Sequence, residues 1–357
     1  MTATHDTTGR VRPSPIGTAA PLERAGNWPE EVLPILERAL VCEFATLTKR
    51  GAPLTYPVTP YMGADGHTID TSTGLSYPAK AERARRDPRV ALLFSDPAGS
   101  GRPNPPVVLI QGLATVRDAD LQANTDRYLA LSMVKVPSAY RGTPWFLMRR
   151  QGWYLARIWI AVTPLRITWW PDGHLDRAPR RWAAPEGTLA PPSDPPPTGR
   201  PLPPWQEAAA DWHPRAAEAL ARLHEPVLTV IGTDGFPLPL RTEGATPTPD
   251  GFRLALPTGL PAPINDGPAC LTFHTLHTQG GEFASQEHAV FAGEVAVGAG
   301  EASFRVERSV GDWSLGRSTL QKTRSFLSGA RRLRPRAQIE AARRGQAIPI
   351  VRRPAGG

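Results

Sequence analysis

The chain has 357 residues, 40% of them hydrophobic and 21% charged, a composition that suits a globular protein with two ordinary cores. Its two cysteines, Cys42 and Cys270, sit inside apolar runs, which excludes a disulfide framework and points to a reducing compartment. The net charge of +8 is concentrated: residues 317–353 hold eleven Lys or Arg against the single acid Glu340, and the remainder is slightly acidic. With Phe326 as its one aromatic residue, this tail lacks the interleaved rings of a nucleic-acid platform, so nucleic acid is not the expected partner.

Residues 1–27 are polar, proline-punctuated and without periodicity, and are expected to be disordered. They contain no signal-peptide core, and no run of about eighteen apolar residues occurs anywhere, which predicts a cytoplasmic protein without a membrane partner. From Pro29 the spacing of Val32, Leu33, Leu36, Ala39 and Leu40 predicts a helix leading into a strand near Cys42. A turn at residues 48–51, a returning strand over 54–62 and a hairpin signal at Asp65-Gly66 follow. Pro57 and Pro60 weaken that second strand, because neither can donate to a ladder, and place it at an edge.

Residues 68–73 alternate, turn at Gly74, and restart as a helix at Pro78, where a proline's missing N–H is tolerated. The hydroxyls of Ser72 and Thr73 thus face a helix start carrying Lys80, a combination suited to a phosphate. The helix stops at Asp87-Pro88, and residues 89–94 return as a buried strand. Residues 107–116 (VVLIQGLATV) form a long strand whose Gly112 implies close approach of a backbone or a ring. A helix over 118–131 comes next, then a crowd of aromatic and basic residues from Tyr140 to Tyr154, readable as a barrel cap or as a ligand wall.

The order of strand, STG turn, basic helix, RRDPRVAL and strand resembles the flavin-binding split β-barrel family, that of pyridoxamine 5′-phosphate oxidase and its relatives. Three further segments extend the resemblance over residues 42–172: the hairpin FATLTKRGAP…YPVTP, the Gly112 strand, and the closing strand WIAVTPLRITWW. It implies FMN, with its phosphate held by Ser72, Thr73, Lys80 and Arg83 and its ring beside Tyr56, Pro57, Val58, Thr59 and Gly112. It also implies an oxidoreductase acting on a small molecule. The signature residues for pyridoxamine 5′-phosphate oxidation itself are missing, so that activity is not carried over, and no catalytic residue is assigned. A deazaflavin is an alternative cofactor, and a non-catalytic flavin store or sensor an alternative role. Haem is a weaker alternative, resting on His274, His277 and His288, whose surroundings read as a surface loop.

Residues 173–204 are proline-dense and predict an extended linker. Beyond them, a helix over 206–223 leads into a second copy of the pattern: Thr258-Gly259 follows Gly251 at the spacing by which Thr73-Gly74 follows Gly66, and AVFAGEVAV stands for VVLIQGLATV. The expected fold is therefore mainly β (α+β), with two tandem split β-barrels, short helices and a basic helical C-terminal extension. Its divisions are 1–27, 28–172 with the phosphate site, 173–204, a degenerate barrel over 205–316, and 317–357. Degeneracy follows from charge: residues 72–94 contain Lys80, Arg83, Arg85, Arg86 and Arg89, whereas 257–273 contain only Asp266. The family's two-fold pairing leaves an internal pseudo-dimer or a homodimer open. The tail is expected to be a solvated helix outside both barrels and dispensable for cofactor binding.

Overall fold

A computed structural model describes residues 28–206, 208–316 and 319–354, except for the side chains of 319, 320 and 322–327. The expectation of disorder over residues 1–27 lies outside this range.

The first half runs α1 (Leu33–Arg38), β1 (Cys42–Leu47), β2 (Pro53–Val58), β3 (Tyr61–Met62), β4 (Ile69–Gly74), α2 (Ala79–Arg86), β5 (Arg89–Phe94), β6 (Val107–Arg117), α3 (Leu121–Lys135), α4 (Trp145–Met148), α5 (Gly152–Leu155), β7 (Arg157–Trp170) and β8 (Arg180–Ala183). The second runs α6 (His213–Arg222), β9 (Val227–Ile231), β10 (Pro237–Arg241), β11 (Gly244–Thr248), β12 (Gly251–Ala255), β13 (Gly267–Gln279), β14 (Glu282–Val297), β15 (Glu301–Trp313) and α7 (Thr319–Arg343). No helix among the described residues is long and apolar enough to cross a membrane.

Two curled antiparallel sheets result, ordered β2-β1-β5-β6-β7-β4-β3 and β10-β9-β13-β14-β15-β12-β11, with β8 added to β7. Element for element the two orders are the same, and they fit tandem split barrels. Registers agree as well. Phe44 lies opposite Tyr56 and Leu92, as Leu228 lies opposite Leu240 and Leu271. Gly112 lies opposite Val90, as Gly293 lies opposite Ala269. A bulge falls beside each of these glycines, and a Cβ there would stand 2.2 Å from Thr163 O or 1.9 Å from Arg305 O. The close neighbour that Gly112 requires is therefore the backbone of β7.

β1 and β5 are buried almost throughout because both faces are covered. Phe44, Leu92, Phe94, Ile110, Ile158 and Ile160 fill the first barrel. Ala45, Ala91, Leu93 and Leu109, pointing the other way, join the cluster of Phe252, Phe273, Phe291 and Phe304 that fills the second. Polar contacts cross the same face: Thr55 Oγ1 to Thr229 Oγ1 at 2.6 Å, Gln111 Nε2 to Pro237 O at 2.8 Å, and His274 Nε2 to Glu43 Oε1 at 2.5 Å.

Two segments, the histidine region and the basic tail, differ from expectation, and the proline-dense linker is fastened to the first barrel. The region of His274, His277 and His288 is not a loop but the long β13–β14 hairpin turning at Gly280-Gly281, with His274 buried, His288 half-buried and only His277 exposed. The proline-dense stretch lies along the first barrel: β8 pairs with β7, Ser193 Oγ accepts from Val116 N, and Asp194 accepts from the N–H groups of Asp118 and Ala119. The basic tail is not a solvated extension, since Leu333, Ala337 and Ala341 are buried against the first barrel. Of the aromatic crowd, Tyr140, Trp145 and Tyr154 pack with Leu129, Met148, Leu155 and Val351 as a cap.

Candidate functional site

α2 is a short helix, AKAERARR, that follows the Gly74-to-Pro78 turn directly. Three-residue spacing puts Lys80 and Arg83 on one face, where both reach Tyr56 of β2. Lys80 Nζ lies 5.2 Å and the Arg83 guanidinium carbon 5.7 Å from the centre of its ring. Arg83 Nε donates to Thr46 Oγ1 at 2.8 Å, while its buried Nη2 has no partner. Among the described residues, neither cation pairs with a carboxylate.

The cost of this arrangement shows in the titration of its members. Burial, helped by the nearby Arg83 and Arg157 charges, pushes Lys80 down to about 8. Burial likewise lowers Arg83. Opposite them stands His288 of β14, edge-on to Tyr56 at 6.2 Å. Burial first, then the charge of Lys80 and the neighbouring His274, holds the His288 imidazole down to about 3, so it is neutral at any physiological pH. Its Nδ1 is buried and also lacks a partner. Two half-buried cations without a carboxylate partner among the described residues, facing a neutral imidazole, make this a locally positive cluster that suits an anion.

The remaining residues expected at the site are distributed around this cluster. Pro57 and Val58 continue β2 beyond Tyr56, and Thr59 O, just past it, accepts from Thr71 Oγ1 at 3.1 Å. Ser72 is half-buried on β4 opposite Trp159. Thr73 is buried and spends its hydroxyl on Tyr77 O at 3.2 Å, closing the turn. Gly112 is accounted for by β7. Sequence reasoning passes over Thr46 as a partner of Arg83 and gives His288 no role at Tyr56. A signal for His288 exists, because its offset from Gly293 equals that of Val107 from Gly112, and these positions face Trp313 and Trp170 respectively.

A cavity of about 590 Å3 lies elsewhere, lined by Val107, Asp172, Asp176, Glu225, Arg241 and Glu243 among others. By register, Arg241, Thr242 and Glu243 are the counterparts of Pro57, Val58 and Thr59, so this is the mirror position on the second barrel. Its carboxylates outnumber its one arginine, which is hydrogen-bonded to Ser95 O and paired with Glu225. An anionic ligand is therefore disfavoured there despite the space.

No protein-family model matches the chain, and no curated protein matches it. Among solved structures, a candidate pyridoxamine 5′-phosphate oxidase from Listeria innocua is 23% identical, over 40% of this chain and 96% of that one, with a TM-score of 0.28. An F420 reductase is 23% identical over 39% and 98% of the two chains, with a TM-score of 0.28. A pyridoxamine 5′-phosphate oxidase-related, FMN-binding protein from Nostoc punctiforme is 14% identical over 37% and 73%, with a TM-score of 0.27.

Proposed function

We propose that the chain binds a phosphorylated flavin, FMN, at the first barrel, and that it is a flavin-dependent oxidoreductase acting on a small molecule. The observation that carries this reading is the convergence of Lys80 and Arg83 on Tyr56 without a carboxylate, opposite an uncharged His288. A phosphate supplies the charge the pair lacks and can accept from the free Arg83 Nη2. Ser72 and the N-terminus of α2 stand on the same turn as further donors. Tyr56, which backs the two cations, and His288, a neutral donor or acceptor, let the wall of the site meet a flavin without adding charge.

A bound flavin supplies hydride and electron chemistry itself, which is why a site without a nucleophile or acid–base pair suffices. The chain would contribute retention of the phosphate by Lys80 and Arg83, an uncharged wall from Tyr56 and His288, and exclusion of water. One such site exists per chain in this reading, because the corresponding turn of the second barrel carries no cation.

The test is the absorption spectrum of the purified protein, with mass analysis of whatever denaturation releases, followed by titration of the stripped protein with FMN. Flavin bands and saturable binding at one equivalent are expected. A protein that stays colourless and takes up no FMN refutes the proposal, and release of a deazaflavin in place of FMN reassigns the cofactor.

A further inference from the structure

We infer that the C-terminal helix α7 is a positioning element of the phosphate site, and that Arg336 is the residue through which it sets the Ser72–Lys80 turn. This rests on the flavin reading above and extends it to a segment whose sequence shows only charge.

α7 grips the turn and α2 at two places. At the turn, Ser76 is almost fully buried; its hydroxyl lies 2.9 Å from Trp153 O and 3.1 Å from Leu333 O, and its carbonyl accepts from Arg336 Nε at 2.9 Å. Leu333 and Ala337 of the same helix pack with Trp153 and Tyr77. At the other end, Arg344 just past α7 donates to Glu82 Oε1 at 2.7 Å, Asp118 Oδ2 at 2.7 Å and Glu340 Oε2 at 2.6 Å. Arg85 shares the same Asp118 oxygen at 2.7 Å. Arg344 and Asp118 are 3% exposed and Glu340 is fully buried, so solvent does not screen this network.

The geometry divides α2 by face. Glu82 and Arg85 are fastened to the α7 end and to Asp118, while Lys80 and Arg83 point at Tyr56. Lys80 and Arg83 repel each other and lack a counter-ion, and beyond the Tyr56 ring their one hydrogen-bonded anchor is Arg83 Nε on Thr46 Oγ1. Added to the packing of Ala81 and Ala84 in the first core and the Arg86 bond to Leu47 O, restraint comes from the opposite face and from Ser76, four residues before Lys80. The matching turn of the second barrel has different keepers: Thr258 Oγ1 donates to Asp176 O, Gly259 N to Leu175 O and Trp170 Nε1 to Gly259 O.

Arg336 is the point to test, because its other hydrogen bond, to Pro203 O at 2.8 Å, reaches neither barrel's core. Compare the full chain with its Arg336→Ala and Arg336→Lys variants, measuring affinity for FMN and for riboflavin, which lacks the phosphate, together with Tm. For Arg336→Ala the expectation is FMN binding weaker by about tenfold, the scale of one charge-assisted contact, with riboflavin affinity unchanged. Arg336→Lys, which can still donate to Ser76 O, should recover part of the loss. FMN affinity unchanged in the Ala variant overturns the inference, and so does an equal loss for FMN and riboflavin, which marks general destabilisation. If Arg336→Ala does not fold, Arg336→Met, which keeps the aliphatic stem and removes the donor, takes its place: a folded Met variant with a lowered FMN-to-riboflavin ratio supports the inference, and one with the native ratio overturns it. A native chain that binds neither flavin overturns the parent reading instead, and the inference with it.

Discussion

The turns that follow β4 and β12 begin alike, as Thr73-Gly74-Leu75 and Thr258-Gly259-Leu260, on sheets of identical strand order. After those three residues they part. The first continues into α2 with Lys80 and Arg83; the second runs through Pro261 and Pro263 into β13 without a helix. The space around the second is taken by the chain leaving the first barrel, with Trp170 sealing it, whereas the counterpart Trp313 is 41% exposed. The two halves show that strand order and core packing survive a complete change in the length and charge of the turn. The proposed phosphate site lies in a short charged insert, and the barrel holds it.

The comparison breaks most severely if the cationic pair is removed. Lys80→Ala combined with Arg83→Ala should weaken FMN binding by at least about 100-fold, taking roughly 1.5 to 3 kcal/mol for each charge-assisted contact. The Tm of the flavin-free protein should not fall, because the lost charges are uncompensated. Titration calorimetry with FMN and thermal melts of the stripped protein read both. Loss of affinity with equal loss of stability would assign the pair to the fold.

pH gives the next effect. Lys80 is pushed down to about 8 in the free protein, and a bound phosphate raises it again, so binding takes up a proton between those two values. Affinity is then full below about pH 8 and falls above it by up to about tenfold per pH unit. Below about pH 6 it falls as well, since the phosphate loses its second charge. His288, held down to about 3, adds nothing in this range. FMN affinity that is flat from pH 8 to 9.5 contradicts a depressed lysine at the phosphate.

Exchanging counterparts sharpens the comparison further. His288→Val installs the residue found at the matching position, Val107, and should weaken FMN binding by about two- to tenfold, the worth of one neutral hydrogen bond. The smallest effect on binding belongs to the second turn. A Cβ at Gly259 would stand 1.9 Å from Arg177 O, so Gly259→Ala should lower stability by about 1 to 3 kcal/mol while leaving FMN affinity as it was. Denaturant melts and a flavin titration on the same preparation decide it.

Much of this was legible from residues whose meaning is local. Alternation before Gly74, Pro78 at the helix start, and the glycines at 112 and 293 each leave a mark within a few positions, and together they predict the elements and their repetition. The hairpin carrying His274 and His288 was not legible. Its polar run of Thr, His, Gln and Glu around two glycines has the composition of a loop, and it is strand where the first barrel meets it: Thr272 Oγ1 donates to Thr55 O of β2, His274 meets Glu43 of β1, and farther out Ser138 Oγ donates to Phe283 O. Nor was the docking of α7. Arg344 looks like any tail arginine, since its partners Asp118 and Glu82 lie 226 and 262 positions away. Charge patterns report only neighbours in sequence.

The outward faces of β1, β5 and β6 have a thermodynamic consequence. Ala45, Ala91, Leu93 and Leu109 belong to the same apolar cluster as Phe252, Phe273 and Phe291, so neither barrel can melt without exposing the other's interior. Such a protein has no independent unfolding units of barrel size. Calorimetry should therefore record a single endotherm whose van't Hoff and calorimetric enthalpies agree, with a heat-capacity increment on the order of 4 kcal/mol/K for the whole chain. Steep, all-or-none loss of structure on heating would follow, and a cofactor bound at one barrel would raise the melting point of both.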